Sequence, residues 1–330
     1  MASHIRSPRN LSISLLANFR VSSVLFILLL ATFTHAQTFQ SPATGYSSIR
    51  IGGAPGTAIF NGNLYIAFRS NDSSNTLFIT SSSDGLNFAP ATYYPNVQLY
   101  GSPALTVYKG LLYLAYRDLY DQNLQLMYSS DGVNFSTPYA VASVGGNFQS
   151  GTSPALTAFN GLLYIAYVDA YTSYPSFASS ADGVTFSGSA STSTYTTASP
   201  PALAVFNNQL VSAIQAPNHM LVLDVSTDGI SFGAHYPYPN ILMGTSPSLA
   251  VYNLSKLVVT FQSNDQYHLL FQATGYDAAT MANPATGYAG IKIGDATAMA
   301  FGGLSGAPSY LYCAFQSDDS YHVLFITKSP

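Results

Sequence analysis

The chain has 330 residues, of which only 7% are charged, and glutamate is absent. From Gln37 onward seven Lys or Arg stand against fourteen Asp, which argues against a nucleic-acid partner because phosphate binding needs clustered cations. Cys313 is the single cysteine, so an internal disulfide framework is excluded, and its place in "LYCAF" reads as a buried core thiol.

Residues 1–36 read as a secretory signal peptide: Arg6, Arg9 and Arg20 lead into "VLFILLLATF" and then "THAQ", with a predicted cut near Ala36. That apolar run is shorter than the ~20 residues needed to cross a bilayer, and no later segment resembles a membrane span. Residues 37–330 are therefore expected to be one exported domain, extracellular or periplasmic.

Six repeat units follow. They open "GAPGTAIF", "GSPALTVY", "TSPALTAF", "SPPALAVF", "TSPSLAVY" and "GDATAMAF", and from Pro55 to Ala296 the steps are 48, 51, 47, 46 and 49 residues. Periods of this size point to propellers or solenoids. Within a unit, "ALTVY", a tight "KG" or "NG" turn, "LLYLAYR", a variable loop, "LQLMYSS", a "DG" turn and "VNFS" predict a four-stranded antiparallel meander. The last unit stops at "LFITKSP", after its third strand. At the other end, "SPATGYSSIRIGGA" (Ser41 to Ala54) matches "NPATGYAGIKIGDA" (Asn283 to Ala296). The expected fold is all-β: a six-bladed β-propeller whose ring is closed by the N-terminal strand completing the last blade.

Four units carry "SSDGLNF", "SSDGVNF", "SADGVTF" and "STDGISF". Asp-Gly supplies a positive-φ turn, the preceding Ser can bond its backbone, and Phe anchors the hairpin, so Asp84, Asp131, Asp182 and Asp228 are assigned a structural role. Repeats of the form "SPALxxFxGxLYxAYxx…LxYSSDGxxF" resemble Asp-box-type β-propellers. They are more closely similar to secreted propeller lectins of the Photorhabdus fucose-binding type, and more distantly to sialidase propellers. The resemblance spans Gln37 to Pro330 and implies a non-catalytic, multivalent carbohydrate-binding protein whose partners are glycans. Here Gly directly follows Asp, Phe replaces the Trp of the sialidase Asp box, and Trp is absent from the chain.

The variation lies in the loops between second and third strands: "RSNDSSN", "RDLYDQN", "VDAYTSYP", "QAPNH", "QSNDQYH" and "QSDDSYH". The candidate ligand-binding residues come from these loops: Arg69, Asp72, Arg117, Asp121, Gln262, Asp265, Tyr267, His268, Gln316, Asp319, Tyr321 and His322. An amide or guanidinium, a carboxylate and an aromatic within eight residues suit a neutral sugar. Equally, the Asp can cap the loop and the Tyr-His pair can begin the next strand. A protein-binding scaffold is the alternative function. A glycosidase comes third, since Glu is missing and Arg50, Arg69 and Arg117 are the only arginines after residue 36. No cofactor is expected: "SNDSSN" and "QSDDS" offer oxygens for Ca²⁺ without the dense acids of a dedicated loop. Sequons stand at Asn71, Asn134 and Asn253.

Overall fold

Hairpins form where the sequence puts residues that tolerate left-handed backbone. Asn61-Gly62, Lys109-Gly110 and Asn160-Gly161 turn with φ of 47–48° followed by 72–75°. The computed structural model describes residues 38–143, 146–189 and 193–329. The signal peptide expected at residues 1–36 lies outside them.

β1 (Thr44–Arg50) precedes a run of strands in one sheet: β2 (Gly56–Phe60), β3 (Asn63–Arg69), β4 (Thr76–Ser82), β5 (Thr92–Tyr108), β6 (Leu111–Asp118), β7 (Leu124–Ser129) and β8 (Tyr139–Ala140). A short hairpin follows, β9 (Ala142–Ser143) with β10 (Gly146–Asn147). Next come two four-stranded meanders, β11 (Ala155–Phe159) to β12 (Leu162–Val168), β13 (Pro175–Ser180) and β14 (Ser187–Ser189), and β15 (Ala202–Phe206) to β16 (Gln209–Gln215), β17 (Met220–Ser226) and β18 (Ala234–Leu242). A third comprises β19 (Ser248–Tyr252), β20 (Lys256–Gln262), β21 (Leu269–Gly275) and β22 (Thr286–Lys292). The last sheet holds β23 (Ala298–Gly303), β24 (Ser309–Gln316) and β25 (Val323–Ser329), and β1 completes it by pairing Thr44 with Ile326.

This is an all-β propeller fold, without a helix among the described residues. Four sheets stand as separate four-stranded blades. The first two sequence units instead share seven strands, because β5 pairs with β4 up to Gln98 and with β6 from Leu99 onward. Gly101, at φ 75°, lies where the β5–β6 register shifts between Tyr100 and Ala104. Going round the axis, the inner strands neighbour one another in the order β2, β5, β11, β15, β19, β23 and back to β2.

The core lies between neighbouring sheets: Ala204 and Leu223 pack with Leu257 and Val259, for example. Cys313 is wholly buried, and burial pushes its thiol up to about 12. At the outer rim, the Asp-Gly hairpins are closed by side chains in the way their sequence implies. Asp84 Oδ1 accepts the N–H groups of Leu86 and Asn87 at 2.8 and 2.7 Å, and the Ser82 hydroxyl accepts that of Gly85 at 2.9 Å. Asp131, Asp182 and Asp228 repeat the arrangement. A tyrosine from the preceding unit covers each hairpin glycine: Tyr312 over Gly85, Tyr65 over Gly132, Tyr113 over Gly183 and Tyr164 over Gly229.

Candidate functional site

The loops between second and third strands share one backbone design. Each ends on a residue with positive φ: Asn75, Gln122, Ser173, His219, His268 or His322. The carbonyl of that residue accepts an N–H from the connector into the next unit, respectively Leu99, Ser150, Thr197, Met243, Ile293 and Ile51, at 2.9–3.0 Å. The last pair ties the sixth loop to the chain's beginning. The loops and connectors therefore form one continuous face.

The candidate aspartates cap these loops. Asp72 Oδ1 accepts from the Ser70 hydroxyl at 2.7 Å and from Ser74 N at 2.9 Å. Asp265 Oδ1 accepts from Ser263 and Tyr267 N, and Asp319 Oδ1 from Ser317, Tyr321 N and His322 N. These bonds hold all three carboxyls below the ordinary carboxylate value, the serine hydroxyls contributing most. Asp121 accepts from Asn123 through both oxygens. All four lie on exposed loop tips.

The strand-end residues do something different. Gln262 and Gln316 are buried, and their Nε2 atoms donate to the carbonyls of Ile293 and Ile51 at 2.5 Å; Gln215 donates in the same way to Met243 O. Arg117, also buried, donates from Nε to Ser150 O at 2.6 Å, with its guanidinium 4.0 Å from the Tyr100 ring centre. Each fastens a second strand to the next unit's connector. Arg69 bonds Asn75 Oδ1 and Gly52 O, within its own unit's entry. The exposed aromatics are the groups left facing solvent: Tyr267 and Tyr321, joined by Tyr120, Tyr171 and Tyr174 from two other loops. His268 Nδ1 lies 3.1 Å from Asp318 of the next loop, while His322 Nδ1 is buried without a hydrogen-bond partner.

One groove of about 890 Å³ opens between β1 and the β3–β4 strands. Phe68, Phe78 and Phe88 with Ile49 and Pro90 give it apolar walls, and Arg50, Asn71 and Asp72 stand at its polar margin. Phe68 and Phe78 stack with ring centres 5.8 Å apart. No hydrogen bond or ion pair engages the Arg50 guanidinium among the described residues. This groove brings together Asp72, a candidate, and Arg50, which aligns with Lys292 in the repeat and is not among the candidates. The signal for it was present: "YPNV", "YPNI", "YAGI" and "YSSI" mark a bulge in β5, β18, β22 and β1, where pairing skips from Tyr94 to Gln98, Tyr238 to Leu242, Tyr288 to Lys292 and Tyr46 to Arg50. In β1 the skip aims Ile49 and Arg50 at the groove. A second, smaller cavity of about 130 Å³ lies where the inner strands begin, lined by Pro103, Pro154, Pro201, Pro247 and neighbouring Ser, Ala and Thr.

No protein-family model and no curated protein matches the chain by sequence. Solved structures do match in shape. A protein of unknown function from Dyadobacter fermentans superposes with a TM-score of 0.65 at 13% identity, over 87% of this chain and 96% of its own. A triple arginine mutant of AofleA from Arthrobotrys oligospora gives 0.63 at 10% identity, over 88% and 86%. Trypanosoma rangeli sialidase bound to the inhibitor DANA gives 0.61 at 12%, over 85% of this chain and 55% of the sialidase. The likeness is one of fold. Among the described residues, no helix is long and apolar enough to cross a membrane.

Proposed function

We propose that this is a secreted, non-catalytic, multivalent glycan-binding propeller of six blades, the seven-stranded sheet counting as two that share β5. The six loop-to-connector ties and the cyclic order of the inner strands support that count. The observation that carries the binding reading is the β1 groove. Its phenylalanine walls suit the C–H face of a sugar ring, while Arg50, Asn71 and Asp72 offer donors and acceptors for hydroxyls at the margin. Exposed Tyr267 and Tyr321, beside the capping Asp265 and Asp319, supply further weak contacts on the same face, and several such contacts on one rigid ring give avidity for clustered glycans.

Glycan-array binding followed by calorimetry tests the reading. More than one equivalent of a single sugar per chain is expected, with Arg50→Ala removing one equivalent while the melting temperature holds. Absence of binding at millimolar sugar sinks it. The glycosidase alternative predicts product release from an aryl glycoside, abolished by a single Asp substitution. The smaller cavity where the inner strands begin, with its prolines, serines and alanines, offers no acid or arginine for that chemistry.

A further inference from the structure

The face opposite the loops has an unexplained regularity. The residue after each Asp-Gly is aliphatic and exposed: Leu86 at 52%, Val133 at 54%, Val184 at 56% and Ile230 at 63%. The turn makes no demand on these side chains, because it uses only their backbone N–H groups, each bonded to the hairpin Asp at 2.8 Å. Single exposed aliphatics are ordinary on any protein surface. Four at one repeat position, all on one face, make a patterned surface.

Leu254 sharpens the point. It sits in the β19–β20 turn on this same face, 88% exposed, in left-handed backbone at φ 55°. The corresponding turns of the first three units place Gly62, Gly110 and Gly161 there. A leucine in that conformation carries a backbone penalty of roughly 1–2 kcal/mol, with no compensating burial in the free protein. Between the aliphatics stand the four hairpin carboxylates, fully exposed. Backbone N–H bonds hold them well below the ordinary value, to about 2 for Asp182 and Asp228 and lower still for Asp84 and Asp131. Among the described residues no Lys or Arg pairs with them. Lys109, which donates to Ala181 O, Lys256 over Tyr276 and Lys328 over Tyr310 stand nearby and keep their charge, but with exposed Asp277 the carboxylates outnumber them five to three.

We propose that the hairpin face is a docking surface for a basic, apolar protein segment, whose aliphatic groups meet Leu86, Val133, Val184, Ile230 and Leu254 while its cations meet the four carboxylates. The excess of carboxylates selects this occupant over a second copy of the chain, which would set like net charge against like.

The test titrates the intact exported chain with a synthetic amphipathic peptide of lysine and leucine, and with a lysine–serine peptide of equal charge. The wild-type chain binds the leucine peptide at least tenfold more tightly than the serine peptide. Leu86→Ser, Val133→Ser, Val184→Ser and Ile230→Ser combined abolish that difference and leave sugar binding and the melting temperature intact. Leu254→Gly gives a second, opposed signature: the melting temperature rises while leucine-peptide affinity falls. Equal affinity for the two peptides overturns the proposal. So does sedimentation showing a wild-type dimer that the serine variant lacks, since the occupant is then a second copy.

Discussion

Tyr65, Tyr113, Tyr164 and Tyr312 occupy one position in the second strand of their units, and each lies over the hairpin glycine of the unit that follows. A Cβ on Gly85, Gly132, Gly183 or Gly229 would come closer than 3.0 Å to that tyrosine's side chain, and all four glycines have φ of 72–79°. The glycine is thus required twice, by the turn and by the neighbour. Val211 and Val258 stand at the tyrosine's position in the fourth and fifth units, and the units after them lack Asp-Gly. Tyrosine and Asp-Gly are two halves of one contact between units. Gly183→Ala should therefore destabilise by at least about 1 kcal/mol more than Gly110→Ala, which has the same backbone strain but open space around it. Urea denaturation of both variants measures this. Adding Tyr113→Phe to Gly183→Ala should recover part of the loss, since the Tyr113 hydroxyl is the nearest obstacle.

Among the strands, β16 and β17 break the pattern. Ser212 faces Asp224 across them, where the other units pair Ile66 with Thr80, Leu114 with Met127, Ile165 with Ala178, Val259 with Ala273 and Cys313 with Thr327. Both polar residues are buried. Asp224 Oδ1 meets His235 Nδ1 at 2.7 Å, while Asp224 Oδ2 and Ser212 Oγ have no hydrogen-bond partner. Desolvation pushes the Asp224 carboxyl above its ordinary value, opposed by His235 and the Ser193 hydroxyl. The folded state thus holds this proton more tightly than the unfolded one. Its contribution to stability is full below the unfolded value near 4 and is lost as pH rises through the folded value. Restoring the repeat's own pair, Ser212→Ile with Asp224→Thr, should stabilise at neutral pH by about 1–4 kcal/mol and by less at pH 4. Urea midpoints at the two pH values decide it. β1 is the other decisive element: removing Gln37 to Ile51 strips β25 of its partner and should lower the melting temperature and speed hydrogen exchange of the Leu324–Ile326 amides.

At the scale of the molecule, the repeats were readable because strand period, turn chemistry and hairpin capping are local, and the β1 match with β22 was readable because both obey one motif. The roles of Gln262, Gln316 and Arg117 were not. A long polar side chain at a strand end looks the same in sequence whether it meets a ligand or a neighbour's connector, and only the packing of adjacent units distinguishes the two. The bulge that aims Arg50 was legible as a motif, but its meeting with Asp72 was not, since β1 belongs to one sheet and the β3–β4 loop to another. Acid stability should also reflect the whole ring. The hairpin carboxyls sit below their unfolded values, so the stability they contribute is present above pH 4 and is lost as pH falls toward about 2, where Asp182 and Asp228 titrate. Circular dichroism between pH 5 and 1.5 should show unfolding on that descending limb, and Asp182→Asn should blunt it.

The pairing of β1 with β25 also sets a timetable. Thr44 leaves the ribosome some 280 residues before its partner Ile326, which at about 5–20 residues per second is a wait of roughly 15–55 s. Until then β1 is a strand without a sheet, and the nascent chain carries an open edge that only β25 can seal. Chaperone engagement of the nascent chain should therefore be concentrated on β1, and should end when β25 emerges.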